Sequence, residues 1–247
     1  MTDNDTAPPS LDDLRRQIDA IDDEIHALIR KRTAVVQHVA SAKKAGQTLP
    51  VRPAREAAML RRLKASHDGS FPFAALARMW HEMIAASTRI QAYYTIAVHA
   101  NGEQHVLWDL ARDQFGSQTP IRAVDGPVET LAALLNGDAD IAVLPLPDAD
   151  GGWWKTLADY LRDHPDETPP PQIIERLPFA GVGCLRGDFT EALVVARVVP
   201  EPTGSDRTIA ATGRGLEFLD GFQETVSNGV RLGAYATPVT VPEGEMS

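Results

Sequence analysis

The stretch LDDLRRQIDAIDDEIHALIRKRTAVVQHVASAKKAG, residues 11–46, decides how the front of this chain folds. Apolar side chains fall at Leu11, Leu14, Ile18, Ile21, Ile25 and Leu28, and resume at Val35, Val39 and Ala42. Steps of three and four residues lay them on one stripe, the seam of a helix that packs on other helices. Ser10 is placed to cap it, and Asp12 and Asp13 occupy the first turn, where the helix dipole favours acids. No Gly or Pro intervenes before Gly46. At 1.5 Å per residue the predicted helix is roughly 50 Å long.

Two shorter helices follow. Pro53 suits the first helical position, and the helix it opens runs to about Lys64 with Met59, Leu60 and Leu63 inward. After the loop SHDGS a third helix carries Phe73, Leu76, Trp80, Met83, Ile84, Ile90 and Tyr94. They span about 20 Å and about 35 Å, so neither covers the first helix along its length. A second copy of the chain would, and an interlocked homodimer is expected.

Near residue 95 the period changes. TIAVHA, PIRAVD and DIAVLPLPD read as strands, alternating with the helical segments HVLWDLARDQFG, GPVETLAALLNG and GGWWKTLADYLRDH. Such alternation predicts a mostly parallel α/β sheet. PQIIERLPFAGVG, EALVVARVV and RTIAAT are further strands, and GLEFLDGFQETV reads as a further helix. The fold class expected is multidomain, α plus α/β. Residues 1–9 form a disordered tail, 10–94 an all-helical three-helix unit (an intertwined dimer), 95–237 a small α/β domain and 238–247 a loose tail.

Composition narrows the function. The 247 residues are 43% hydrophobic and 23% charged, enough apolar content for packed domains. No apolar run is long enough to span a membrane, and the polar start MTDNDTAPPS lacks the apolar core of a signal peptide. A single cysteine, Cys184, excludes an intrachain disulfide and a cysteine-based zinc site. A cytoplasmic protein is expected. The net charge of −10 speaks against nucleic acid. Residues 1–95 nonetheless hold 14 basic against 11 acidic side chains, and the rest 10 against 23. The basic front is either an anion site or ordinary drift between domains.

The seam of the first helix has one anomaly. Continuing from Leu28, the next position falls on Arg32. Lys43, eleven residues on, lies about 20° away round the helix on nearly the same face, and Arg15 flanks the seam at its other end. Buried cations without partners are costly, so this face meets either internal acids or an external anion. Asp19, Asp22 and Asp23 serve the first reading for Arg15 and Arg16, but no acid shares the stripe of Arg32 and Lys43. On the second helix Arg55 and Glu56 follow Pro53. On the third, Ser87 takes a seam position with Gln91 one turn on, either as a core hydrogen-bonding pair or as ligand groups. The seven histidines are scattered, and His26 and His38 read as surface residues.

These residues carry a resemblance. The run from LDDLRRQIDAID to SAKKAG, then PAREAAMLRRL, then ARMWHEMIAASTRIQ, resembles the all-helical class of chorismate mutase, most of all the N-terminal domain of chorismate mutase–prephenate dehydratase proteins. The resemblance spans residues 11–94. It implies that Arg15 reaches into the partner chain's site to hold a substrate carboxylate and that Arg32 holds one within its own chain. Lys43 would contact the ether oxygen and a carboxylate. Arg55 would support the anionic end, Glu56 accept the substrate hydroxyl, Ser87 assist a carboxylate and Gln91 donate to the ether oxygen. The family commonly has an acid three residues before the Arg of the RE pair; here Arg52 stands there and adds a cation. The implied reaction is the isomerisation of chorismate to prephenate, with no cofactor and no metal.

Residues 95–195 resemble a prephenate dehydratase domain whose signatures are broken. Leu146, Pro147 and Asp148 follow Pro145 where the family has an acid, an amide and a hydroxyl. His99, Ala100, Asn101 and Gly102 replace its glycine-proline turn, and Thr190, Glu191 and Ala192 stand where Thr-Arg-Phe would. The reading is a mutase with a non-catalytic α/β appendage. The alternatives are a working bifunctional mutase–dehydratase, or a regulatory ligand-binding module dimerised by its helices.

Overall fold

The computed structural model describes residues 9–42, 49–100, 106–147, 152–181 and 190–239. The chain divides into two compact units, residues 1–46 and 47–247.

The first unit is helix α1, Leu11–Ala42. Its start is capped reciprocally: the Asp13 amide donates to Ser10 Oγ at 3.2 Å, while the Ser10 amide and hydroxyl donate to Asp13 Oδ2 at 3.2 and 2.6 Å. Two orphan amides at the helix start are thereby satisfied. These bonds hold the Asp13 carboxyl below its ordinary range. The seam stays exposed, from 42% at Leu14 to 64% at Leu11 and Leu28.

The second unit begins with α2, Pro53–Ala65, and α3, Phe73–Gln91. It continues as β1 Ile96–His99, α4 Val106–Phe115, β2 Ile121–Val124, α5 Pro127–Leu135, β3 Ile141–Pro145 and α6 Trp153–Asp163. Strands β4 Gln172–Leu177, β5 Ala192–Ala196, β6 Asp206–Thr212, β7 Gly215–Asp220 and β8 Gly229–Ala236 follow. All eight strands described form one sheet in the order β2-β1-β3-β5-β4-β8-β6-β7.

Alternation along each strand sends side chains to two cores. Ile96, Val98, Ile141, Val143 and Val194 meet Leu107, Leu110, Ala111 and Phe115 of α4, with Tyr94 and Val51. On the other face Ala142, Leu144, Leu193 and Val195 meet Leu131 and Leu134 of α5 and Trp153, Trp154 and Leu157 of α6. A third cluster joins Ala57 and Leu60 of α2 and Phe73 and Ala77 of α3 to Phe179 and Ala236. Burying a side chain such as Leu60 or Phe73 is worth about 1.5–3 kcal/mol. Arg61 of α2 adds donors to Thr203 Oγ1 at 2.8 Å and to the carbonyls of Ser205 and Thr237 at 2.9 and 2.8 Å. α3 is strapped near α4 by Glu82, which accepts from the Ser117 amide and hydroxyl at 2.9 and 2.6 Å. A Cβ at Gly116 would lie 2.7 Å from Ala85 Cβ, so glycine lets α3 approach there.

Parallel pairing read from the β-α alternation holds at the β2-β1-β3 end. Beyond β3 the sheet is mixed: β5 runs antiparallel between β3 and β4, β8 is parallel to β4, and β6 is antiparallel to both β8 and β7. At the β4/β8 contact Gly233 has φ 149°, and a Cβ there would meet the Ile173 backbone at 2.1 Å.

The expected helix GLEFLDGFQETV is corrected to the strand β7. Thr212 pairs with Gly215 across the two residues Gly213 and Arg214. That glycine-bearing two-residue loop makes a hairpin, which overrides the three-residue spacing of Leu216 and Leu219. The tail expected to loosen after Thr237 is held through Val239, whose amide donates to the Phe179 carbonyl at 2.7 Å. The domain boundary expected near residue 95 is not where the compact units divide. α2 and α3 bury their apolar residues with the α/β elements, and the division falls at 46/47.

Candidate active site

On α1, Arg15 contacts Asp12 at 3.4 Å with both side chains mostly exposed, a kind of pair worth about 0–1 kcal/mol. Arg32 is half-buried at its seam position. Lys43 lies outside the described residues, as does Cys184. Arg15 and Arg32 are seventeen positions apart on one continuous helix, about 25 Å along the axis. One α1 helix therefore does not bring both guanidinium groups to a single small ligand.

On α2 and α3 three of the candidates bond within the protein. Arg52 pairs with Glu201 at 3.1 Å, and Arg55 is exposed. Ser87 is buried, and its hydroxyl donates to the Met83 carbonyl at 2.7 Å; Gln91 Nε2 donates to the Ser87 carbonyl at 3.2 Å. Both bond back to the preceding turn of their own helix.

Glu56 is half-buried. Its carboxyl faces protein: Gln114 Nε2 donates to Glu56 Oε2 at 3.4 Å and to Glu175 Oε1 at 2.8 Å. Gln114 and Glu175 are 6% and 4% exposed. Burial pushes the Glu56 carboxyl up to about 7, against a backbone hydrogen bond at Arg52 that favours its charge. Glu175 is pushed well above the ordinary carboxylate range, first by burial and then by Glu56. Two acids this close in a dry setting do not both ionise readily.

A cleft of about 280 Å³ opens beside this pair, with Gln114 among its walls together with His81, Arg78, Asp113, Leu110 and Phe179. Burial lowers His81 to about 4, so its ring is neutral at pH 7, and its Nδ1 has no partner among the described residues. Arg78 pairs with Asp113 at the cleft.

Sequence reasoning missed Gln114 and Glu175, although a signal existed for each. Leu107, Leu110, Ala111 and Gln114 follow helical spacing, so Gln114 interrupts an apolar face just as Arg32 does. Glu175 lies inside the apolar strand run QIIERL. Glu191 forms a two-point pair with Arg176 at 2.9 and 2.7 Å, so this acid ties the start of β5 to β4.

Among the described residues no cluster of His, Cys, Asp and Glu is suited to a metal ion, and no helix is long and apolar enough to cross a membrane. Residues 14–92 match the family model described as chorismate mutase type II. The match covers about a third of the chain. No curated protein matches the chain. Among solved structures it is similar to GqqA, described as a novel type of quorum quenching acylase (12% identity, TM-score 0.40, covering 59% of this chain and 95% of that one). It is also similar to the prephenate dehydratase of Streptococcus mutans (16%, 0.31, covering 48% and 60%). A third is the prephenate dehydratase of Arthrobacter aurescens in complex with L-Phe (12%, 0.38, covering 61% and 94%). Likenesses this distant say nothing of this chain's reaction.

Proposed function

We propose that the chain is a cytoplasmic chorismate mutase, a homodimer that converts chorismate to prephenate and carries a non-catalytic α/β region. The observation that carries the reading is the match of residues 14–92 to chorismate mutase type II, with Arg32 on an otherwise apolar seam. The exposed seam of α1 supports the dimer. The roughly 25 Å between Arg15 and Arg32 on one helix supports a site in which Arg15 comes from the partner chain.

The rearrangement is a concerted [3,3] shift. No proton moves and no covalent intermediate forms, so the protein acts by restriction and by charge. Arg15, Arg32 and Arg55, with Ser87, hold the two carboxylates in the folded conformer; such restriction is worth up to about 7–11 kcal/mol. Guanidinium groups suit this because they bind carboxylates at two points. Glu56 accepts the substrate hydroxyl. Lys43 and Gln91 stabilise the negative charge growing on the breaking ether oxygen, a role in which one lost donor costs about 10²–10³ in rate.

The test follows chorismate loss and prephenate formation by the purified full chain, beside Gln91→Ala. Turnover in the parent, with a loss of about 10²-fold or more in the variant and no change in dimer or unfolding midpoint, is the expected result. A parent that leaves chorismate untouched removes the proposal. A variant whose stability falls while its turnover per folded protein holds makes Gln91 a core residue.

A further inference from the structure

We propose that Gln114 of α4 and Glu175 of β4 are positioning residues for Glu56: the amide bridges Glu56 Oε2 and Glu175 Oε1, and the two acids share one proton across that bridge. The role in catalysis rests on the mutase reading; the shared proton does not.

The geometry is a bridge. One amide nitrogen lies 2.8 Å from a carboxyl oxygen of β4 and 3.4 Å from one of α2. An amide NH₂ has two hydrogens, so it serves both carboxyls, with the shorter bond to Glu175. The groups facing the pair come from every element around it. Tyr94, 1% exposed in the segment that follows α3, feels the charge of Glu56. Arg52 contributes a backbone hydrogen bond to Glu56 while its guanidinium pairs with Glu201. Gln114 is the polar contribution of α4. The neighbours on β4 and its partner strand are apolar: Ile174, Leu177 and Val194. Burial is therefore the leading cause for both acids, and no cation is among the causes acting on either. Ionising both would place two charges on one amide, and low local dielectric makes that expensive. The shared titration belongs to the pair.

The sign of the linkage follows. A carboxyl raised in the folded state gives stability that is full below its ordinary value of 4.5 and is lost as pH rises through about 7. Removing the amide donor disfavours the charged form further. A hydroxyl is accepted better by a charged carboxylate than by a neutral one. Loss of Gln114 therefore weakens turnover on the acid side only.

The test uses the full chain with Gln114→Leu and Glu175→Gln. Urea unfolding from pH 5 to 9 is expected to show the parent losing stability above pH 6, and Glu175→Gln losing less. A parent whose stability is flat or rising over that range overturns the shared proton. In chorismate turnover, Gln114→Leu is expected to move the acid limb of the kcat/KM profile up by about one pH unit. That is about a tenfold loss near pH 6, recovered by pH 8.5. A loss of the same factor at every pH overturns the positioning role. Should either variant fail to fold, ¹³C NMR of glutamate carboxyls in the parent decides. One carboxyl still protonated at pH 7 supports the pair, and all titrating below 5.5 overturns it. A parent without turnover sinks the mutase reading alone, since unfolding and NMR still judge the pair.

Discussion

α1 and the α2–α3 pair fall within one family match, yet their apolar faces end differently. α2 and α3 bury Ala57, Leu60, Phe73 and Ala77 in a common cluster with Phe179 and Ala236. α1 leaves Leu11, Leu14, Ile18, Ile21, Ile25, Leu28, Val35 and Val39 exposed along its length. Their polar residues differ in the same sense. Arg52, Glu56, Ser87 and Gln91 each have a partner in the second unit, whereas Arg15 meets the exposed Asp12 of its own helix. Covering eight such side chains is worth on the order of 10 kcal/mol per chain, twice that in a dimer. Association costs about 4–15 kcal/mol, so burial of that size would offset it if copies pair through α1, as proposed. The difference teaches that the second unit buries its apolar faces within itself, whereas the α1 seam is left uncovered, which is why the proposed dimer places its contact there.

The hardest blow to that contrast is a charge in the middle of the seam. Ile21→Asp should leave the chain monomeric by sedimentation and abolish measurable chorismate turnover, while the second unit keeps its unfolding transition. An aspartate buried at a helix–helix seam costs several kcal/mol. If the variant remains dimeric and active, the seam is not where copies meet, and the contrast loses its meaning. Arg32→Ala comes next. Removing one two-point carboxylate contact should cut kcat/KM by about 100-fold, or about 2.7 kcal/mol, with the dimer unchanged. A stability gain with unaltered turnover would instead make Arg32 a tolerated cation on a structural seam.

The contrast also marks what was legible in the sequence. α1 was readable to its cap because its stripe repeats with only Arg32 out of pattern, and the β-α alternation from Ile96 to Asp163 was readable because turn residues such as Gly, Pro and Asp separate the apolar runs. β7 was not: Leu216 and Leu219 mimic helical spacing, and the two-residue turn Gly213-Arg214 that folds β7 back onto β6 is a weaker local signal than that spacing. The candidate site was legible as residue types but not as orientations. Periodicity put Glu56 on α2 without saying that its carboxyl turns toward Glu175, 119 positions away by their numbers. That contact depends on which strand of the mixed sheet lies beneath α2 and α4, and side-chain spacing carries no trace of it. Gln114 was readable by the logic applied to Arg32, a polar residue where the stripe calls for an apolar one.

The smallest effect belongs to Arg52, the position where the resemblance implies an acid. Its guanidinium meets Glu201 at 3.1 Å, with the two side chains 48% and 58% exposed. A pair so open to water is screened and contributes about 0–1 kcal/mol. Arg52→Ala should therefore move the urea midpoint by an amount equal to less than about 1 kcal/mol, and less still at high salt. The family position predicts more: a cation beside a dianionic substrate should strengthen binding, so its removal should raise the KM for chorismate. With the side chain held toward Glu201, that rise should stay within about threefold, or about 0.7 kcal/mol. Glu201→Gln sharpens the point, because it frees the guanidinium without removing it. A lower KM in that variant would mean that Glu201 restrains Arg52 from the substrate. A tenfold rise in KM for Arg52→Ala would mean that Arg52 leaves Glu201 when substrate arrives, and that the start of α2 is less settled within the second unit than its buried face implies.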